Sequence, residues 1–400
     1  MTLILTFLGK GGTGRSTVAI AAAQKLSDEG KRVLLVNQET GPGLSLQLNA
    51  VVGPTVTEVN AGGQSFKAVQ LHTAALLDEN WEKLKNFEAQ YLRDPFFKAV
   101  YGQELSVVPG MDDFLALNAI REYTESKQYD VIVHDSPGNQ ANLRMWGAIG
   151  GVDWYFRRFK QVFQDSQFYR SISPFIAPIT GAVLSSSSTG DIWNQPATQS
   201  LEEMVAKGKA MVRDPMQLRA YVVTTDDDMA IAQGKYLWSA AQQIGLTVAG
   251  TIVNAIVNAT ANATANATAN TTTNTTDAVS TGDNIALADL TAATKAFAPL
   301  PVTALPYSPN KHLWQPLITA LPDLTKVVDV PRAMSIDTAS STVKLFLPGF
   351  DKTQVKLTQY GPEVTVEAGD QRHNLSLPPA LKGRSVTGAK FQEGYLIISF

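Results

Sequence analysis

Short, uninterrupted apolar runs recur along the chain as far as Asn254, and each closes on a glycine or a polar residue. Leu3 to Leu8 leads into Gly9, and Val33 to Val36 into Asn37. Val131 to Val133 leads into His134 and Asp135, Tyr221 to Val223 into Thr224, and Leu246 to Val253 into Asn254. Runs of this length, rich in β-branched residues and apolar on both faces, are buried parallel strands. Between them the apolar positions move to helical spacing, as in Val18, Ala22 and Leu26, and again over Met229 to Ile244. Leu77, Trp81, Leu84 and Tyr91 recur at near-helical spacing, so residues 61–125 read as largely helical, with Leu105 to Gly110 a further strand. Gln38 to Ser45 reads as a turn-rich loop, and Val302 to Tyr307 as a last short strand and loop. Strands alternating with helices predict an α/β fold, a mostly parallel sheet flanked by helices.

The pattern changes character in three places. Residues 151–216 are unusually aromatic, with Phe156, Phe159, Phe163, Phe168, Phe175 and Ile176 among them and Met204, Met211 and Met216 following. Composition leaves two readings: amphipathic helices that cap the core, or an exposed apolar groove in which flexible methionines suit varied clients. From Asn258 the chain reads Asn-Ala-Thr-Ala three times and then turns to Asn and Thr. With no apolar periodicity, 258–284 is expected to be a disordered surface insertion. After a linker over 323–333, short apolar strands with Gly, Pro and Asp turns run from Met334 to Phe400. They predict a small all-β sandwich, which leaves 1–322 as the α/β domain.

Candidate chemistry clusters after the first run, in Gly9-Lys10-Gly11-Gly12-Thr13-Gly14-Arg15-Ser16-Thr17. A glycine-rich turn between strand and helix is the setting of a phosphate-binding loop. Its backbone N–H groups curl around an anion, and the helix N-terminus adds positive potential. Ser16 falls where a Mg²⁺-ligating hydroxyl belongs, and Asp135, closing a later strand, has the Walker B form that holds the metal's water shell. Arg15 replaces the usual lysine. Charge survives, but a planar fork is not a point charge.

Composition adds exclusions. The 400 residues make two domains the default, and a net charge of −3 gives no electrostatic reason for a nucleic-acid partner. The absence of cysteine removes disulfides and thiolate metal sites, and suits a reducing compartment. No apolar run reaches the length of a membrane span, so no integral membrane segment is expected. A core strand within two residues of Met1 leaves no room for a leader.

The loop's Gly-Lys-Gly-Gly-x-Gly order resembles the deviant Walker A motif of the ParA, MinD and ArsA groups. The body to about Leu321 resembles the ArsA-type and tail-anchored-protein-targeting (Get) ATPases. Val33 to Leu46 looks like their switch I region, and Asp135-Ser-Pro-Gly-Asn-Gln-Ala-Asn-Leu-Arg144 like switch II. The resemblance implies ATP or ADP with Mg²⁺, held by Gly11, Gly12, Thr13, Gly14, Arg15, Ser16 and Thr17. Asn254, Pro306 and Tyr307 would contact the base. It implies a homodimer in which Lys10 reaches the partner's nucleotide, and catalysis by Lys10 and Asp135. The family's catalytic switch I aspartate aligns with Leu46, and Glu39, at an earlier Asp position, would partly substitute. Turnover is therefore expected to be slow, or absent in a non-hydrolysing scaffold or holdase. The family's Cys-x-x-Cys zinc clasp cannot form, so no zinc is expected, and arsenite thiolates are missing too. The resemblance also favours the groove reading of 151–216, with hydrophobic clients such as tail-anchored membrane proteins. The tail resembles an α-crystallin-like fold, found at the end of some ArsA-type proteins of cyanobacteria and plastids. A cytoplasmic setting, bacterial or stromal, is expected.

Overall fold

The computed structural model describes residues 1–80, 110–165, 196–255, 290–306, 314–361, 363–369, 371–375 and 377–400, without the side chains of 155–165 and 196–201. Eight strands form one sheet: β1 (Leu3–Leu8), β2 (Val33–Asn37), β3 (Thr57–Val59), β4 (Phe66–Gln70), β5 (Val131–Asp135), β6 (Leu218–Thr224), β7 (Val248–Asn254) and β8 (Val302–Leu305). Their order is β3-β4-β2-β5-β1-β6-β7-β8, and every pair is parallel except β3 with β4. The connections from β1 and to β6 leave on opposite sides of β1. That reversal makes the C-terminal end of β1 a topological switch point, where ligands of open α/β sheets bind.

Helices cover both faces. Leu3, Leu5 and Phe7 point to one core with α1 (Arg15–Asp28), α2 (Gly43–Leu48) and α8 (Gln315–Ala320). Ile4 and Leu8 point to the other, with α3 (Met111–Glu125), α4 (Gln140–Asp165), α5 (Pro196–Arg213), α6 (Asp228–Ile244) and α7 (Thr291–Phe297). Burial on both faces is why these strands read as continuous apolar runs.

The described part of 61–125, read as largely helical, is helical over 73–80 and 111–125 but also holds a strand that the pattern did not show. That strand, β4, pairs with β2 from Leu34↔Lys67 to Asn37↔Gln70. Its sequence, FKAVQ, keeps Lys67 exposed at the margin of the sheet, so it lacks the uniform apolar signature. The helix α2 likewise starts within the stretch read as loop. Trp81, Leu84, Tyr91, 105–109 and the 258–284 repeat lie outside the described residues.

The C-terminal strands are β9 (Met334–Asp337), β10 (Thr342–Phe346), β11 (Val355–Tyr360), β12 (Glu363–Ala368), β13 (Gln371–Leu375), β14 (Gly388–Gln392) and β15 (Tyr395–Ser399). They form two antiparallel sheets, β14-β15-β10-β9 and β11-β12-β13, around a core that includes Val343, Leu345, Val364, Val366, Leu396 and Ile398. The sequence pattern missed β9 and β14, which are sheet edges with mostly uncovered faces. The sandwich packs on α6. Trp238 meets the Phe346 ring at 5.4 Å, Tyr236 meets Phe350 at 5.3 Å, and Gln243 Nε2 donates to Ala368 O at 2.9 Å. From α4, Trp154 Nε1 donates to Glu363 at 2.7 Å. Among the described residues no helix is long and apolar enough to cross a membrane.

Candidate nucleotide site

The loop from Gly9 to Gly14 leaves the end of β1 at the switch point. Gly9 must be glycine: a Cβ there would lie 2.1 Å from Val223 O on β6. Its N–H donates to Gly138 O at 2.8 Å, which ties the loop to the segment after Asp135. Thr13 Oγ1 closes the loop on Lys10 O at 2.9 Å. Gly12 and Gly14 take positive φ, +88° and +85°. Gly11 and Gly12 border open space, with nothing within 4 Å of where a Cβ would stand. The helix α1 then starts with no side-chain cap and no acid in its first turn. Uncapped N–H groups at the start of a 14-residue helix, beside an open glycine cradle, fit an anion such as a phosphate.

Asp135 closes β5 next to this cradle and is 2 % exposed. Asn37 Nδ2 donates to it at 2.7 Å, and the Ser16 hydroxyl lies near enough to favour its ionised form. Asn37 and Asp135 are register partners at the ends of adjacent strands. Burial pushes the Asp135 carboxyl up to about 6, against the opposing pull of Ser16, Asn37 and Arg15. A carboxylate and a hydroxyl near one another beside an open glycine cradle are the hard oxygen donors Mg²⁺ takes. Arg15 is partly buried, and Nη1 donates to Ser136 O at 2.7 Å. Burial lowers its pKa, while Asp135 and Glu39 raise it. Glu39 is exposed, and its carbonyl accepts from Gln70. Leu46 lies on α2 and is 70 % exposed.

The remaining expected residues divide. Lys10 is partly buried at the loop and lies within electrostatic reach of Asp227, whose pKa is lowered first by Thr225 and then by the α6 N-cap bond, with Lys10 a smaller contributor. Thr17 faces Gln47 at 3.5 Å. Asn254 Nδ2 donates to Thr13 O at 3.2 Å, so its amide braces the loop from the end of β7. Pro306 is buried just past β8. Tyr307, Phe168, Phe175 and Ile176 lie outside the described residues; Phe156, Phe159 and Phe163 belong to α4, and their side chains lie outside them as well.

Beyond the residues expected to act at the site, the fold brings four more together, of which Gly138 and Asn142 lie in the segment already likened to switch II. Asn37 braces Asp135. His134 is fully buried; its ring stands edge-on to Trp146 at 5.7 Å, with Thr6 Oγ1 and Gln38 Oε1 each 3.3 Å from its nitrogens. Burial pulls His134 down to about 3, so it is neutral near pH 7. Asn142 Nδ2 donates to Thr6 Oγ1 at 3.3 Å, which links the start of α4 to the same network. Gly138 makes room for Arg15. The one available signal was that β2 and β5 both end on a polar residue, as adjacent parallel strands with a shared site do.

Comparison with known proteins agrees with this geometry. Residues 2–309 match the family model described as anion-transporting ATPase, and residues 339–400 match the HSP20-like domain found in ArsA. A protein of Prosthecochloris vibrioformis, provisionally named an arsenical pump-driving ATPase, is 28 % identical over 159 residues, 40 % of this chain and 38 % of the relative. The match thus spans well under half of that relative's length. An uncharacterized protein of Streptomyces coelicolor is 25 % identical over 411 residues, 100 % of this chain and 97 % of its own. The ATPase ASNA1 homolog 1 of Paramecium tetraurelia is 23 % identical over 137 residues, 34 % of this chain and 40 % of its own. The chain belongs to the ArsA anion-transporting ATPase family and carries that family's HSP20-like domain at its C-terminus.

Proposed function

We propose that this chain is a homodimeric, ATP-dependent chaperone or targeting factor that shields hydrophobic segments in a nucleotide-controlled groove. The observation that carries the reading is the open glycine cradle at the uncapped start of α1, with Asp135 near enough to Ser16 to feel its hydroxyl. Gly11 to Thr17 would hold the phosphates and Ser16 with Asp135 the Mg²⁺, the latter through water. Bound there, Mg²⁺ with ATP supplies a polarised γ-phosphate. The chain's own part is to cradle it, to orient switch II through Asp135 and Asn142, and to reach a second copy's nucleotide with Lys10. Helices α4 and α5, with the 151–216 segment between and around them, would line the groove when two copies close. Residues 1–322 would form the ATPase body, 323–333 the linker and 334–400 the sandwich, and the protein would work in the cytoplasm. The name of the Paramecium relative, an ATPase ASNA1 homolog, supports the targeting reading. The arsenical-pump names do not extend to this chain, because a thiolate arsenite site needs cysteines and the sequence has none.

A second reading is favoured by Arg15 and by Leu46, an exposed apolar residue where the family's catalytic aspartate aligns. It is a nucleotide-binding scaffold that does not hydrolyse.

Three measurements decide. Mass determination by light scattering, without nucleotide, with ADP and with a non-hydrolysable ATP analogue, should give a dimer. A dye for apolar surface should respond to the analogue alone. A monomer indifferent to nucleotide would sink the clamp. Phosphate release should exceed that of Asp135→Asn; equal background rates would leave the scaffold.

A further inference from the structure

The guanidinium of Arg15 is engaged with the segment after Asp135. Nη1 donates to Ser136 O at 2.7 Å. The space it fills exists because residue 138 has no side chain. A Cβ on Gly138 would stand 2.1 Å from Nη1, 2.7 Å from Cδ of Arg15 and 2.6 Å from Phe7 O, and φ there is +62°. Gly138 O meanwhile accepts from Gly9 N–H at 2.8 Å. The phosphate loop is therefore stitched to Ser136–Gly138 twice, once by main chain from its first residue and once by the Arg15 side chain from the start of α1. A charge-assisted donor to a carbonyl is the stronger kind of stitch. A lysine at this place would offer a single ammonium instead of a fork.

We propose that Arg15 is a positioning residue for switch II: it holds Ser136–Gly138 against the phosphate loop when no phosphate is bound, and an arriving phosphate competes for the same guanidinium. The second half rests on the nucleotide-binding reading; the first does not. An anionic phosphate oxygen outbids a neutral carbonyl as acceptor. Loading the loop then draws Arg15 off Ser136 O and frees the segment that begins switch II. Such a contact, made differently in the two states, is what a ligand needs to shift a conformational equilibrium. The arginine that departs from the loop's usual lysine becomes the link between the phosphate and the segment that must sense it.

The test is hydrogen exchange on the full chain, read by mass on peptides covering 136–142. Without nucleotide, Arg15→Ala and Arg15→Lys should both speed exchange there by about tenfold, the loss of one charge-assisted hydrogen bond. The sandwich strands serve as an internal control and should not change. Adding a non-hydrolysable ATP analogue with Mg²⁺ should speed the same peptides in wild type and add nothing in Arg15→Ala. Unchanged exchange in nucleotide-free Arg15→Ala would overturn the positioning role. Wild-type exchange in Arg15→Lys would overturn the need for the fork. Protection instead of acceleration by the analogue in wild type would overturn the competition. Calorimetry on the same samples separates the two readings. If wild type binds no nucleotide, the proposed function fails, while the nucleotide-free comparison still decides the positioning role.

Discussion

The two β-structures of this chain bury their strands in opposite ways. In the large sheet β1, β2, β5 and β6 are buried at every position, because helices lie on both faces. No side chain on those faces reaches solvent, so the candidate site lies at the strand ends, where Asn37, Asp135 and the glycine loop meet. In the sandwich, β11 alternates between partly buried and exposed positions, and the apolar core is small. Domains of that size bury a modest share of their surface. The sandwich also draws on the body: Phe346 and Tyr395 pack with the core built around α6, and Tyr236 of α6 packs with both cores. Its glycines allow the approach. A Cβ at Gly349 would lie 2.4 Å from Lys235 O, and one at Gly369 2.6 Å from the Tyr236 hydroxyl. The body is self-sufficient at its site, and the tail leans on the body.

The largest break in that comparison is Trp238→Ala. Trp238 is fully buried, with Phe297 of the body at 6.2 Å on one side and Phe346 of the sandwich at 5.4 Å on the other. Removing it should cost about 3–5 kcal/mol in denaturant unfolding. All six tryptophans lie in the body, the last being Trp314, so indole fluorescence reports the body and, through Trp154 and Trp238, its joint with the tail, while far-UV dichroism reports both parts. Wild type should unfold in one transition by both probes; the variant should show the tail melting first by dichroism. Two separate transitions in wild type would mean that the shared core carries no cooperativity.

What the sequence could and could not convey follows the same division. β1, β2, β5, β6 and β7 were legible because double-sided burial leaves a mostly apolar run, and the glycine spacing at Gly9 to Gly14 marked the turn. β4 was hidden by Lys67 at the sheet's margin, and β9 and β14 by being edges. At the site, residue types announced Ser16 and Asp135. The docking of Arg15 on Ser136 O and of Asn254 on Thr13 O did not show, because both contacts join residues more than a hundred positions apart.

A smaller effect separates the regions by the sign of their pH dependence. Asp135 in the body is raised to about 6 by burial. Asp337 and Asp351 in the sandwich are lowered, first by the hydroxyls of Ser340 and Thr353 and then by turn N–H groups. A raised carboxyl contributes stability that is fully present below its unfolded value, near 4, and lost as pH rises through about 6. For Asp135 the loss amounts to about 3 kcal/mol. Lowered carboxyls do the reverse, contributing above their unfolded value and losing it toward acid. His134, pulled down by burial, also loses stability toward acid, below about 6.5. The Asp135 effect is therefore read as the difference between wild type and Asp135→Asn, followed by denaturant midpoints from pH 4 to 7. The stability of Asp135→Asn relative to wild type should rise across that range. A constant difference would mean that the carboxyl is already ionised at pH 4, its burial offset by Ser16, Asn37 and Arg15.

The smallest effect tests which contacts hold the tail to the body. Gln243 Nε2 donates to Ala368 O from a fully packed position on α6, and its removal leaves a buried carbonyl without that donor. Such a loss costs about 1–3 kcal/mol. Lys356 and Glu367, 3.9 Å apart on the outer surface of the sandwich, form an ion pair in open solvent. Pairs of that kind contribute about 0–1 kcal/mol and are screened by salt. Gln243→Ala should therefore lower the unfolding midpoint of the tail more than Lys356→Ala, and by the same amount at low and high salt. If the two variants are equal, or if the Gln243 effect fades with salt, the joint is wet, and the sandwich is a tethered module instead of a wall of the α/β body. If the order holds, the buried amide of Gln243 adds to the Trp238–Phe346 and Tyr236–Phe350 contacts that fix the HSP20-like tail on α6.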